Sequence, residues 1–267
     1  MVRLAWMTDI HLNFLEPMQI DNWLSDVRKV RPHAVLITGD IGEASTYEDY
    51  LIRIAGRLGV PLFFVLGNHD YYHGDIAQVR EKAMMIENEY ACLNWLPAHG
   101  VVKLSEDTAL VGHGGWGDAQ YGDFLNSSVM LNDYMLIYDL NGLAPVNLQK
   151  KLQSLGEDAA KILVPQLEAA LIAYDHVYVA THVPPFQESC WYDGQTPADD
   201  DDYLPHFACK AVGDVLLDMA DRHPEKQIVV VCGHTHGWGE TQMRPNLQVI
   251  TEGATYGQPM IARLFDI

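Results

Sequence analysis

The sequence predicts an α/β fold in which parallel strands are joined by crossover helices. Over residues 2–89, apolar β-prone runs alternate with segments of helical periodicity. The runs are residues 2–7, 34–38 and 62–66, and helices are expected around residues 18–30, 47–58 and 76–89. This alternation of strand and helix is typical of a parallel sheet.

The second half of the chain continues the pattern with more irregular segments. Residues 101–104 and 108–111 predict an antiparallel hairpin, and residues 148–174 predict a helix that breaks or restarts near Pro165. Strands are expected at 177–180 and 228–232, a helix at 208–222, and short strands at 241–243, 248–251 and 260–265. Residues 183–207 are rich in proline and aromatics and predict a long loop. No repeat or linker divides the chain, so one domain over residues 1–267 is expected.

The composition is that of a soluble globular protein, with 48% hydrophobic and 20% charged residues. No apolar stretch approaches the roughly 18 residues that span a bilayer, and the amino terminus does not resemble a signal peptide. We therefore expect a cytoplasmic protein without a membrane segment. The four cysteines lack C-x-x-C spacing and predict buried, unpaired thiols: Cys92, Cys190, Cys209 and Cys232.

The formal net charge of −19, from 36 acidic and 17 basic residues, limits the possible partners. Binding along a nucleic acid requires a cationic surface, and the chain has no cluster of Lys or Arg. Extended nucleic-acid binding and binding to an anionic membrane are therefore not expected. A small phosphorylated substrate remains possible, because bound metal ions can reverse the local potential.

Five short segments rich in metal-binding side chains each follow directly after a predicted strand. The carboxyl ends of parallel strands line up at one edge of a sheet, and ligands bind in the crevice outside that edge. Each fragment alone could be a turn or a structural pair, so the prediction rests on their combination. The segments are Asp9-Ile10-His11, Gly39-Asp40, Gly67-Asn68-His69-Asp70, Thr181-His182 and Gly233-His234-Thr235-His236.

Seven side chains in these segments form a ligand set that is too large for one tetrahedral ion and sufficient for two. They are Asp9, His11, Asp40, Asn68, His182, His234 and His236. Imidazole with carboxylate suits two divalent transition-metal ions (Mn, Fe, Zn, Ni or Co), and Asp40 is the natural bridge between them. Such a pair lowers the pKa of a bound water from ~15.7 to about 7, which makes a bridging hydroxide available to attack phosphorus. His69 would then assist departure of the leaving oxygen or hydrogen-bond the phosphate, with Asp70 holding its ring.

The ordered motifs D-x-H, G-D, G-N-H-D, H and G-H-x-H resemble those of the calcineurin-like metallophosphoesterase superfamily. The resemblance spans residues 9–236. It implies a four-layer α/β/β/α sandwich with two packed mixed sheets. It also implies one metal on Asp9, His11, Asp40 and His236, and a second on Asp40, Asn68, His182 and His234. His69 matches the catalytic histidine of the superfamily and Asp70 its partner acid.

The chain departs from the protein Ser/Thr phosphatases of that superfamily at the second and third motifs. Those enzymes carry G-D-x-x-D-R-G and G-N-H-E, whereas this chain has no arginine after Gly39-Asp40 and ends the third motif with Asp70. The sequence is more similar to the broad prokaryotic, phosphodiesterase-like branch. We therefore expect a phosphoric ester hydrolase with a slight preference for phosphodiester or nucleotide-like substrates over phosphomonoesters.

Two further hypotheses concern the substrate pocket and the possibility that the fold lacks activity. His73, Trp116 and Phe186 are candidate substrate-binding residues, because they lie near the third motif, in a glycine-rich segment and in the long loop after His182. For Trp116 and for the aromatics of that loop, plain packing is an equal alternative, and for His73 solvent exposure is the favoured alternative. The alternative function is a non-catalytic scaffold that binds other proteins, which would need neither His69 nor a complete ligand set. The sequence gives no indication of the oligomeric state.

Overall fold

Two mixed β-sheets form the centre of the protein in the computed structural model, which describes residues 1–267. The strands are β1 Arg3–Met7, β2 Ala34–Thr38, β3 Leu62–Val65, β4 Leu93–Trp95, β5 Val102–Lys103, β6 Thr108–Gly112, β7 His176–Ala180, β8 Gln227–Cys232, β9 Gly239–Arg244, β10 Leu247–Thr251 and β11 Arg263–Asp266. The helices are α1 Pro17–Lys29, α2 Tyr47–Leu58, α3 Ile76–Glu89, α4 Leu96–His99, α5 Asp133–Leu136, α6 Pro145–Ala173, α7 Leu204–Phe207 and α8 Lys210–Arg222. None of the helices combines the length and the apolar character that a bilayer crossing requires.

Each sheet has a parallel centre, with an antiparallel strand at one edge of the first sheet and at both edges of the second. The first has the strand order β11-β1-β2-β3-β4, in which β1 to β4 run parallel and β11 is antiparallel to β1. The second has the order β5-β6-β7-β8-β10-β9, in which β6, β7, β8 and β10 run parallel and β5 and β9 are antiparallel. The predicted parallel centre and antiparallel hairpin are both confirmed.

The alternation of side chains along the strands separates the interior into distinct cores. On β1, Leu4 and Trp6 pack into the core between the two sheets, whereas Ala5 and Met7 pack against the layer of helices α1–α3. On β8, Val231 joins the core between the sheets, and Val230 packs toward α6 and α8. Because successive residues of a strand point to opposite faces, these contacts define four layers. The α/β/β/α sandwich is confirmed.

Helix α6 differs from its prediction because it runs without a break through Pro165. The helix covers 29 residues, and Pro165 lies on its partly exposed side. The carbonyl that loses its partner at Pro165 can therefore be hydrated, while Leu163 and Leu167 remain packed on the second sheet. Tertiary packing of the apolar face outweighs the local preference of proline to end a helix.

The cysteines are all free thiols, as predicted, but Cys92 is exposed rather than buried. It lies in the short connection between α3 and β4. The other three thiols are buried.

Candidate metal centre

The seven predicted ligand side chains meet between the carboxyl ends of strands from both sheets. Asp9 and His11 follow β1, Asp40 follows β2, and Asn68 lies three residues after β3, all in the first sheet. The second sheet contributes His182 after β7, and His234 and His236 after β8. The site is therefore built across the two sheets.

One group of ligand atoms comes from Asp9, His11, Asp40 and His236, and these atoms lie within 4.8 Å of one another. The Nε2 atoms of His11 and His236 are 3.3 Å apart. Nε2 of His11 is 3.6 Å from Oδ2 of Asp40, and Nε2 of His236 is 3.4 Å from Oδ1 of Asp9. These ring nitrogens and carboxylates converge on one point.

A second group lies around the amide oxygen of Asn68. This oxygen is 3.0 Å from Nε2 of His182 and 3.0 Å from Nδ1 of His234. Nε2 of His182 is also 3.4 Å from Oδ1 of Asp40. The carboxylate of Asp40 thus directs one oxygen to each group, which is the arrangement of a bridging ligand.

The donor atoms fit two transition-metal ions. Atoms that bind one ion at about 2.1 Å are separated by roughly 3.0–3.4 Å when the angle at the metal is near 90–109°. The shortest separations in both groups, 3.0 and 3.3 Å, lie in that range. Two imidazole nitrogens that face each other, as those of His11 and His236 do, place their lone pairs toward a shared cation. Carboxylate, imidazole and amide donors without thiolate favour first-row divalent ions.

Burial and neighbouring charges shift the pKa values of these groups in different directions. Burial raises the pKa of Asp40 well above its usual range, and the charges of Asp9 and Asp70 raise it further. Burial also acts to raise the pKa of Asp9, but the imidazoles of His182 and His236 outweigh that effect and hold it well below its usual range. Burial lowers the pKa of His11 to about 4 and that of His234 to about 3, so both rings are in the neutral, ligating form.

Five of the ligand residues adopt left-handed backbone conformations that non-glycine residues seldom occupy. Such conformations cost about 1–2 kcal/mol each and persist where surrounding contacts impose them. Here the turns after β1 and β2 bind each other, since the amide of Asp9 donates to the carbonyl of Gly39 at 3.1 Å and that of His11 to Asp40 at 2.9 Å. The residues and their φ angles are Asp9 (49°), His11 (40°), Asp40 (53°), His234 (71°) and His236 (57°).

Comparison with known families agrees with this geometry. The family described as calcineurin-like phosphoesterase matches residues 2–238, which is most of the chain. The chain belongs to the calcineurin-like phosphoesterase family. No curated protein sequence matches it.

Several solved structures are similar to this member of the phosphoesterase family. A dimetal phosphatase from Danio rerio has a TM-score of 0.58 at 13% identity, covering 97% of this chain and 89% of that one. The phosphopantetheinyl hydrolase PptH of Mycobacterium tuberculosis has a TM-score of 0.62 at 13% identity, with coverages of 94% and 89%. The protein TT1561 of Thermus thermophilus has a TM-score of 0.53 at 13% identity, also with coverages of 94% and 89%. At this identity the likeness establishes the fold.

The ring of His69 lies beside the metal ligands of this phosphoesterase fold. It stacks on Tyr72 with a centroid separation of 4.3 Å and is 4.6 Å from the ring of His11. Nε2 of His69 is 3.9 Å from Oδ2 of Asp40. Burial lowers the pKa of His69 to about 2, and the nearby imidazoles of His11 and His182 contribute to the lowering. The ring is therefore neutral and can donate one N–H.

The predicted hydrogen bond between Asp70 and the ring of His69 is wrong. The carboxylate of Asp70 is fully buried and accepts hydrogen bonds from the amides of Ile41, Gly42 and Gly67, each at 2.9 Å. These bonds tie the turn that carries Asp40 to the turn that carries Asn68. Asp70 thus holds the two motifs together instead of orienting the catalytic candidate, because its side chain points away from the cleft into a cluster of backbone N–H groups.

The three candidate substrate-binding residues lie outside the open cleft. Phe186 is 1% exposed and belongs to the core beneath the second sheet. Trp116 is 4% exposed and packs on Tyr71, and it lines only a small cavity behind the metal ligands. His73 lines a separate surface depression next to Ala44. None of the three therefore lines the cleft that opens on the metal ligands.

A cleft of about 260 Å³ leads from the surface to Asp40, Asn68, His69, His234 and His236. Its walls contain residues that sequence reasoning missed or left open: Tyr72, Leu131, Asn132, Asp133, Tyr192, Phe207, Thr235 and Tyr256. The aromatic composition of the loop after His182 was the sequence signal for Tyr192 and Phe207. These two side chains line the cleft, whereas Phe186 is buried in the core. No motif marks Asp133 or Tyr256, which come from segments between the predicted elements.

Proposed function

We propose that the protein is a binuclear metal-dependent phosphoesterase that hydrolyses a phosphodiester with a nucleotide-like substituent. The observation that carries this proposal is the position of Asp40, whose Oδ2 is 3.6 Å from Nε2 of His11 and whose Oδ1 is 3.4 Å from Nε2 of His182. One carboxylate thus serves two adjoining sets of ligands. Two ions held in this way supply Lewis-acid stabilisation of phosphoryl oxygens and a water of lowered pKa.

In this proposal His69 acts on the substrate rather than on the metals. Its side chain lines the cleft, and its Nε2 lies 3.9 Å from the nearer oxygen of Asp40, farther than the 3.6 Å of His11 and the 3.4 Å of His182. The stack on Tyr72 holds the ring at the edge of the ligand cluster. A neutral ring in this position donates its N–H to a phosphoryl oxygen or to the leaving oxygen, and either contact stabilises negative charge that grows during the reaction.

The lining of the cleft favours a phosphodiester over a phosphomonoester. None of the thirteen lining residues is Lys or Arg, and two of them, Asp40 and Asp133, carry carboxylates. A monoester is close to a dianion at neutral pH, whereas a diester carries one negative charge and needs less cationic support. The aromatic residues of the wall offer faces on which a base can stack, worth about 1–3 kcal/mol per base. These are Tyr72, Tyr192, Phe207 and Tyr256.

A substrate screen tests the proposal directly. Purified protein is depleted of metal, supplemented with Mn(II), and assayed with p-nitrophenyl phosphate, bis-p-nitrophenyl phosphate and cyclic nucleotides. We expect Mn(II)-dependent hydrolysis with a higher kcat/KM for the diester than for the monoester. A higher kcat/KM for the monoester would overturn the assignment of substrate class.

The variant His69→Ala separates catalysis from metal binding. The expected result is a fall in kcat of about 10²–10⁴-fold with metal content unchanged, because the ring is not among the ligands. If His69→Ala loses metal as well as activity, the assignment of His69 to the substrate is wrong. Protein that binds two ions and hydrolyses none of the substrates would instead favour the non-catalytic scaffold.

A further inference from the structure

The side-chain amide of Asn68 can adopt two orientations, and only one of them turns its oxygen toward the other metal ligands. Only its oxygen can bind a cation, while its nitrogen is a donor of similar size. In the structure the oxygen faces His182 and His234, each at 3.0 Å. The nitrogen points to the opposite side, where it donates to Oδ1 of Asp133 at 2.9 Å.

We propose that Asp133 is a positioning residue of the metal centre, which fixes the amide of Asn68 so that its oxygen faces the metal. Oδ1 of Asp133 receives the hydroxyl of Tyr72 as well as the amide nitrogen, so it acts as an acceptor and selects the orientation in which the amide nitrogen points toward it. The reversed amide would place two acceptors against each other and leave a buried carboxylate oxygen without this donor, which disfavours that orientation. The proposal concerns metal binding and therefore rests on the metal centre described above, not on the substrate.

Asp133 is itself held firmly enough to serve this role. It is 4% exposed, and the hydroxyl of Tyr72 donates to the same oxygen, Oδ1, at 2.7 Å. Asp133 is the first residue of α5, and the last residue of that helix, Leu136, accepts a backbone hydrogen bond from His73 at 2.8 Å. The helix that carries the carboxylate is thus tied to the segment that follows the third motif.

The same contact reaches His69 through Tyr72. The ring of His69 stacks on that of Tyr72, whose hydroxyl is bound by Asp133. The carboxylate of Asp133 therefore holds the metal ligand Asn68 and also Tyr72, on which the ring of His69 stacks. Tyr72 provides a natural control, because Tyr72→Phe removes its hydroxyl while the hydrogen bond between Asp133 and Asn68 remains.

The test is a double-mutant cycle read out by Mn(II) binding to metal-depleted protein. The variants are Asp133→Ala, Asn68→Ala, their double mutant and Tyr72→Phe. We expect Asp133→Ala to lower the affinity for one of the two Mn(II) ions by about 10–100-fold. The affinity for the other ion should stay close to that of the wild type. In the Asn68→Ala background the same substitution has no further effect, since the side chain that it orients is gone. Tyr72→Phe has a much smaller effect on affinity than Asp133→Ala.

Two outcomes would overturn the proposal. The first is wild-type affinity for both ions in Asp133→Ala. The second is an undiminished loss when Asp133→Ala is added to Asn68→Ala, which would show that Asp133 acts by charge or by general stability. If the alanine variant does not fold, Asp133→Ser replaces it in the cycle, because its shorter hydroxyl withdraws from the amide of Asn68. Since binding is measured without substrate, failure of the hydrolysis proposal leaves this test unaffected.

Discussion

His113 is a buried histidine outside the set of metal ligands, and its protonation couples folding to pH. It is 5% exposed, and its Nδ1 accepts a hydrogen bond from the amide of Gly115 at 3.0 Å. Burial lowers the pKa of His113 from 6.5 to about 3, and the charge of Arg80 lowers it further. Between these two values the unfolded chain binds a proton that the folded protein does not. The stability that the neutral ring provides is therefore complete above pH 6.5 and is lost as the pH falls toward 3.

Replacing His113 with Asn removes this titration and keeps an acceptor near the position of Nδ1. We expect the free energy of unfolding of His113→Asn to fall less steeply on acidification, by up to about 1.4 kcal/mol per pH unit between about pH 3.5 and 6. Urea denaturation of metal-free wild type and variant over this range measures the difference. Parallel curves for the two proteins would show that His113 is not the residue that links folding to pH.

The sequence was sufficient to name the candidate ligands but not to identify the hydrogen-bond partners of Asp70. All seven candidate ligands could be named, because donor-rich segments that directly follow strands lie at the carboxyl edges of the sheets, where ligands bind. The partner of Asp70 was misidentified, because adjacency to His69 says nothing about which backbone amides lie within reach. Three amides from two turns surround this carboxylate, and those turns meet only after the strands have packed.

At the scale of elements, three of the five ligand turns contain a glycine against which another turn packs. A Cβ atom added to Gly67 would contact Oδ1 of Asp40 and the ring of His182. One added to Gly233 would contact Oδ2 of Asp9. The glycines of the G-D, G-N-H-D and G-H-x-H motifs therefore leave room for ligand atoms, in addition to allowing a sharp turn at the end of a strand.

We expect Gly67→Ala to displace Asp40 and to lower the bound metal below two ions per chain. Gly56→Ala is a matched control, because Gly56 is exposed in α2 and an added Cβ has no atom within 4 Å. That control should bind metal normally and gain about 0.5–1 kcal/mol in stability, since alanine is a better helix former than glycine. Elemental analysis and thermal unfolding measure both effects. Normal metal content in Gly67→Ala would show that the turns can move apart without loss of the centre.

Elements with a clear period were predictable, and those that depend on packing were not. The strands that carry ligands were placed to within about two residues, because each is a buried run followed by polar donors. The continuation of α6 past Pro165 depends on contacts with the second sheet that the local sequence does not contain. Helix α5 has only four residues, too few for a helical period, so the position of Asp133 in the site could not be anticipated.

At the scale of the whole molecule, the metal centre joins the two sheets. Asp9, Asp40 and Asn68 come from the first sheet, and His182 and His236 from the second. The order of strands in the second sheet, with β10 inserted between β8 and β9, could not be read from the sequence, because β8 pairs with β10 and not with the next strand along the chain. Ions bound across both sheets stabilise the folded chain by mass action, about 2.7 kcal/mol per site at roughly 100 times the dissociation constant.

Replacing Asp40 with Asn should raise the free energy of unfolding of the metal-free protein and lower that of the metal-bound protein. Burial and the charges of Asp9 and Asp70 raise its pKa, so its stabilising contribution is present at acid pH and is lost as the pH rises through the folded pKa. At neutral pH the ionised carboxylate is therefore unfavourable in the metal-free protein, and Asp40→Asn should raise the unfolding free energy of that form. With Mn(II) the order reverses, because the amide cannot give a charged oxygen to each of two ions.

Thermal unfolding of both proteins with and without Mn(II) measures this reversal. We expect wild type to gain several degrees on addition of Mn(II) and Asp40→Asn to gain little and to bind neither ion tightly. Asp26→Asn makes the same chemical change on the surface, where Asp26 pairs only with exposed Lys29, and it should keep the full gain. Tight binding of one ion by Asp40→Asn would contradict the bridging role. A bridging carboxylate contributes its charge to both sites, so its neutralisation should weaken the binding of both ions.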